Sequence, residues 1–160
     1  MSLIAPLLPP ANVVAGLDAS SKKRVFEEAA LLFETELGIG HDLIFDKLFA
    51  RERLGSTGLG QGIAIPHSRV AGLAEAAGAF IRLATPVPFD ALDGRPVNLV
   101  FVLLVPEEAN DAHLQLLSEL ARMFSDRAFR EKLLAAPDAA TLHALLTDWQ
   151  TGAEGNAPTA

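Results

Sequence analysis

The sequence predicts an α/β fold: a single domain with a mixed β-sheet sandwiched between helices. Three observations carry this. Patterned segments run in the order helix, helix, strands, helices. Val97–Val105 is apolar on both faces apart from Asn98, as a central strand covered from both sides requires. The chain has 160 residues, 50% hydrophobic and 21% charged, enough to bury a sizeable core in one domain, taken as residues 1–150.

Residues 1–11 are apolar and proline-rich and read as an arm lying against the body. Asn12–Leu17 is a first strand ending near Gly16. Ser20 or Ser21 then caps a helix whose apolar face is Val25, Phe26, Ala29, Leu32 and Phe33, with Gly38 as its stop. A second helix spans Asp42 to Arg53, with Leu43, Ile44, Leu48 and Phe49 inward, and runs straight into a glycine-rich stretch. Ile63-Ala64-Ile65 is a short buried strand. Ala77–Ala84 is another, interrupted by Arg82. Pro86 and Pro88 bracket an irregular extended piece, and Phe89 is expected to begin a short edge strand. Leu92-Asp93-Gly94-Arg95 is a turn, and Pro106 ends the central strand. Asn110 or Asp111 caps a helix to about Phe124, with Leu114, Leu117, Leu120 and Ala121 at helical spacing. Helices Asp126–Ala135 and Asp138–Trp149 follow, and residues 151–160 have the small, polar composition of a disordered tail.

Composition excludes several functions. With no cysteine there is no disulfide, thiolate nucleophile or cysteine metal site. A net charge of −7 opposes general nucleic-acid binding. The early prolines do not suit a secretory signal, and no apolar run is long enough to cross a bilayer, so the chain is expected in the cytoplasm without membrane insertion. No cofactor or metal is called for.

The informative stretch is 51–69, where Gly55, Gly58, Gly60 and Gly62 fall within eight residues and Pro66-His67 follows the short strand. Glycines so spaced suit a tight turn or a close approach to backbone amides. Arg51, Arg53 and Arg69 face only Glu52, a local excess of +2 in an acidic chain. With the hydroxyls of Ser56 and Thr57, the stretch suits a compact anion. Imidazole is nucleophilic when neutral, so His67 is the candidate phosphoryl acceptor. The amides from Ser56 to Gly62 are expected to supply donors, and Arg51 a guanidinium. His113 opens the helix after the central strand, where α/β sites gather, and is a second candidate. His41, at a helix start without polar company, reads as structural, and His143 as packing or surface. Ser68 beside His67 lacks an orienting acid and makes a poor nucleophile.

Neither a GxGxxG fingerprint nor a P-loop ending is present. Instead, Arg51 with Gly55-Ser-Thr-Gly-Leu-Gly-Gln-Gly-Ile-Ala-Ile-Pro-His67 closely resembles the active-site segment of phosphotransferase-system enzyme IIA domains of the fructose/mannitol type. Phe89-Asp-Ala-Leu-Asp-Gly-Arg-Pro-Val97, Leu99–Pro106 and His113-Leu114 agree, so the likeness runs from about residue 12 to 148. The resemblance implies that His67 is phosphorylated on Nε2 by the histidine phosphocarrier HPr or a paralogue, with His113 the second active-site histidine and Arg51 the supporting arginine. Ser68 departs from the small residue, often glycine, usual after that histidine. The isolated IIA-like unit and Ser21-Lys-Lys-Arg resemble the nitrogen-type regulatory enzyme IIA. That type implies state-dependent partners such as a transporter or sensor kinase. A sugar-specific IIA donating to a separate IIB protein and a non-phosphorylated binding module are the alternatives.

Overall fold

A computed structural model describes residues 2–108 and 110–149, and the expected tail at 151–160 lies outside them. Six strands form one mixed sheet: β1 Val13–Leu17, β2 Gly58–Gly60, β3 Ile63–Ala64, β4 His67–Val70, β5 Ala77–Val87 and β6 Val97–Pro106. The order is β1-β5-β6-β3-β2, with β4 also on β6. β1 runs parallel to β5, β5 antiparallel to β6, and both β3 and β4 parallel to β6. β6 is thus paired along both edges, as its apolar run predicts.

Five helices cover the sheet among the described residues: α1 Lys22–Leu37, α2 His41–Leu54, α3 Asp111–Ser125, α4 Arg127–Ala135 and α5 Ala139–Asp148. Alternation along β6 divides the core. Val100, Val102 and Leu104 pack with α1 and α2, whereas Leu99, Phe101, Leu103 and Val105 pack with α3, α4 and α5. Local chemistry sets the helix ends. Ser21 caps α1, Gly38 closes it in the left-handed region at φ 74°, and Asn110, Asp126 and Asp138 cap the last three helices.

β3 and β4 occupy the same side of β6 and are nearly one strand, broken at Ile65-Pro66. β3 pairs with Leu99 and Val100, and β4 begins at His67 opposite Leu103. Proline has no N–H for the ladder, but its carbonyl still accepts from the Leu103 amide at 2.9 Å. The break places His67 at the start of β4 rather than at the end of the preceding strand.

Several expectations differ in detail. The arm holds two short 3-10 turns, Ala5–Leu7 and Pro10–Asn12, which bury Ile4, Leu7 and Leu8 against the second core half. β5 continues through Pro86 to Val87, with its register shifting after Arg82. Phe89 begins no strand; its buried ring meets Phe26 edge-on at 6.0 Å between centroids. The inward face of α3 is Leu116, Leu120, Met123 and Phe124, leaving Leu114 65% exposed. Leu43 is likewise exposed on α2. His41 has polar company after all, since its Nδ1 lies 3.0 Å from the Glu34 carboxylate.

Candidate functional site

Three elements bring His67, Arg51 and His113 to one cavity of about 620 Å³. Arg51 comes from the last turn of α2, His67 opens β4, and His113 lies in the first turn of α3. Strand alternation adds Arg69, two residues after His67, and α2 adds Lys47 one turn before Arg51. Leu54 and Leu114, 85% and 65% exposed, also line the cavity.

The two imidazoles are held in opposite senses. His67 Nδ1 lies 2.8 Å from the carbonyl oxygen of Ile65. A carbonyl only accepts, so Nδ1 carries the proton and the Nε2 lone pair is free. At His113 the roles reverse. Its Nδ1 accepts the Asn110 N–H at 3.0 Å within a capping box, so the neutral ring carries its proton on Nε2 as a donor. Burial pushes the His67 imidazole below its ordinary value. The Ile65 hydrogen bond opposes this, the Arg51 guanidinium reinforces it, and Glu52 pulls the other way. His67 is therefore neutral at physiological pH. Arg51 donates through Nη1 to the Gly55 carbonyl at 2.8 Å, and its fork holds further donors.

The glycine-rich stretch does something other than expected. Gly55, Ser56, Thr57, Gly58, Gly60 and Gly62 do not line this cavity. Ser56 donates its hydroxyl to the Phe89 carbonyl, and Thr57 is buried against Glu52. The amides of Thr57, Gly58 and Gln61 are already committed to Glu52, the Ser56 hydroxyl and Asp93. Residues 58–64 form a tight hairpin, with left-handed backbone from Gly60 through Gln61 to Gly62. A Cβ on Gly58 would sit 2.8 Å from Ala91 Cβ, and one on Gly62 2.9 Å from Asn98 Oδ1. Gly58, Gly60 and Gly62 form a seam of close packing against residues 91–98, the other use of such spacing.

Sequence reasoning passed over Glu52, counted only as an opposing charge, and Asn110, named as a cap but not as the partner that sets His113. Their signal was positional. Asn110 stands three residues before His113, the capping-box spacing, and Glu52 five residues before a hydroxyl-bearing turn residue.

Comparison with known proteins places this geometry in context. The family model described as "Phosphoenolpyruvate-dependent sugar phosphotransferase system, EIIA 2" matches residues 6–149. The chain is 45% identical over 153 residues to a nitrogen regulatory protein of Pseudomonas aeruginosa, covering 95% of this chain and 99% of that one. The crystal structure of nitrogen regulatory protein IIA-Ntr from Neisseria meningitidis superposes with a TM-score of 0.87 at 54% identity. That match covers 91% of this chain and all of the other. A fructose-specific EIIA component of Haloferax volcanii is 36% identical over 128 residues, covering 76% and 83% of the two chains.

Proposed function

The chain belongs to the type-2 enzyme IIA family of the phosphoenolpyruvate-dependent sugar phosphotransferase system, and from that premise we propose that it is a nitrogen-type phosphohistidine carrier. His67 accepts a phosphoryl group from HPr or a nitrogen-type paralogue, and the phosphorylated and free forms engage different proteins, such as a transporter or sensor kinase. The observation that carries this reading is the opposed pair of imidazoles in one cavity: a free Nε2 lone pair on His67 and an Nε2–H on His113.

In the proposed step the Nε2 lone pair of His67 attacks phosphorus, a new N–P bond forms, and the N–P bond of the donor phosphohistidine breaks. The donor nitrogen keeps that electron pair. The proton stays on Nδ1, hydrogen-bonded to the Ile65 carbonyl throughout, so Nε2 needs no base to attack. Arg51 and the His113 N–H donate to the phosphoryl oxygens, where the charge of a loose transition state resides. Identity to nitrogen regulatory proteins, at 45% and 54%, exceeds the 36% to the fructose-specific component and supports the regulatory branch.

The test is mass spectrometry after incubation with phosphoenolpyruvate, enzyme I and HPr or its paralogue. An acid-labile phosphate on wild type, absent from His67→Ala, is the expected result. Modification of both proteins would move the acceptor elsewhere, and no modification of either would leave a binding module. Rapid passage of the phosphoryl group to a IIB protein would favour the sugar-transport branch instead.

A further inference from the structure

We infer that Glu52 is a positioning residue: by clasping Thr57 it fixes the carbonyl that orients His67 and the turn that holds Arg51. The inference rests on reading His67 as the phosphoryl acceptor.

The side chain of Glu52 is only 4% exposed. A carboxylate so enclosed is costly unless its oxygens are filled. They are filled from two residues. Thr57 donates its amide to Oε2 at 3.1 Å and its hydroxyl to Oε1 at 2.6 Å, and Lys22 Nζ lies 3.0 Å from Oε2. Two hydrogen bonds from one residue to the two oxygens of one carboxylate fix that residue's orientation as well as its position.

Thr57 passes the constraint on. Its carbonyl accepts the Ile65 amide at 3.1 Å, and the Ile65 carbonyl holds His67 Nδ1 at 2.8 Å. The sequence Glu52, Thr57, Ile65, His67 is a run of hydrogen bonds from the end of α2 to the reacting ring. The same turn contains Gly55, whose carbonyl holds Arg51 at 2.8 Å. Clasping Glu52 to Thr57 closes that turn and leaves Gly55 between fixed ends. One carboxylate thus sets both the nucleophile and its cation while touching neither reacting atom.

Lys22 gives a role to the Ser21-Lys-Lys-Arg stretch. It is the first residue of α1, and besides Glu52 it reaches the Phe89 carbonyl at 3.3 Å and stands 5.3 Å from the centre of the Phe89 ring. Ser56 donates to that same carbonyl. The clasp is therefore anchored to α1 and to the segment before β6.

The test compares Glu52→Gln, Thr57→Val and Thr57→Ser by ¹⁵N spectroscopy of the His67 ring and by kinetics of phosphoryl acceptance. Wild type is expected to show one His67 tautomer, protonated on Nδ1. Glutamine cannot accept from both Thr57 donors and loses the Lys22 ion pair. In Glu52→Gln the ring should show a tautomer mixture, and kcat should fall on the order of tenfold to a hundredfold with KM for the donor carrier little changed. Thr57→Val should shift both readouts the same way, and Thr57→Ser should restore them. A purely structural role would lower Tm and leave tautomer and kcat at wild-type values in the folded variants, which would overturn the inference. Should Glu52→Gln fail to fold, Thr57→Val decides alone. If wild type accepts no phosphoryl group, the acceptor reading falls, while the tautomer measurement still decides the clasp.

Discussion

Arg51→Ala separates charge compensation from protonation. The guanidinium lies in the same cavity as His67 and holds that imidazole down, so its removal should raise the pKa of the ring. That alone changes little. Even a His67 returned to its ordinary value of about 6.5 would be roughly three-quarters neutral at pH 7, a rate change of less than about twofold. Loss of one preorganised donor to a developing anion is larger, on the order of 2–4 kcal/mol, or roughly thirtyfold to a thousandfold. The open cavity and the surrounding solvent favour the lower end of that range. Rapid-quench measurement of phosphoryl acceptance, with NMR titration of His67 on the same variant, reads both effects. A transfer rate within about threefold of wild type would remove Arg51 from the step. A His67 pKa that fell would refute the electrostatic account of the ring.

Because His67 has a folded pKa below its unfolded one, the unfolded chain binds more protons between the two values; stability should rise with pH across that window and fall on acidification below about 6.5. His41, raised by its Glu34 hydrogen bond, acts in the opposite sense, with stability present below about 6.5 and lost as pH rises through its folded value. Urea denaturation of wild type and His67→Ala between about pH 5 and 7 isolates the first effect, and parallel curves would exclude it. Gly78→Ala would put a Cβ 2.6 Å from Leu7 Cδ1 and 3.0 Å from the Phe101 ring, costing about 1–2 kcal/mol after the gain from a stiffer unfolded chain. An unchanged urea midpoint would show that the arm and ring yield freely.

That His67, His113 and Arg51 would gather was legible because each lies at a boundary marked by strong local signals. Pro66 breaks the ladder before His67, Asn110 caps the helix that presents His113, and the glycines after Arg51 end its helix. The purpose of those glycines was not readable. Spacing that lets a phosphate approach amides equally lets Ala91 and Asn98 approach the backbone, and only tertiary pairing distinguishes the two. The inward face of α3 was misjudged for a related reason. Of the expected stripe Leu120 is buried and Leu117 packs against the core, but Leu114 and Ala121 face outward, and the sheet buries Leu116, Met123 and Phe124 instead. Leu114 is left at the cavity, where the proposed carrier would meet its partners.

The site's electrostatics suit an acceptor that must later give its phosphoryl group away. His67 is held by a carbonyl two residues earlier in the chain through Nδ1, not through the Nε2 proposed to carry phosphate. Charge compensation comes from elsewhere. Arg51 already spends one donor on the Gly55 carbonyl just past the C-terminus of α2, where a cation is favoured even without substrate. Lys47 and Arg69 line the cavity from α2 and β4, and the N-terminus of α3 adds its dipole, with Asp111 set against them. Among the described residues, the glycine-rich segment 55–62 does not line the cavity that holds His67. A dianion on His67 would therefore be stabilised by side chains bordering open solvent, and it would change the charge beside exposed Leu54 and Leu114. On the proposed reading that is the requirement of a carrier whose partners distinguish its two states. The bound group must be held loosely enough to transfer, and its charge must reach the surface that the partners touch.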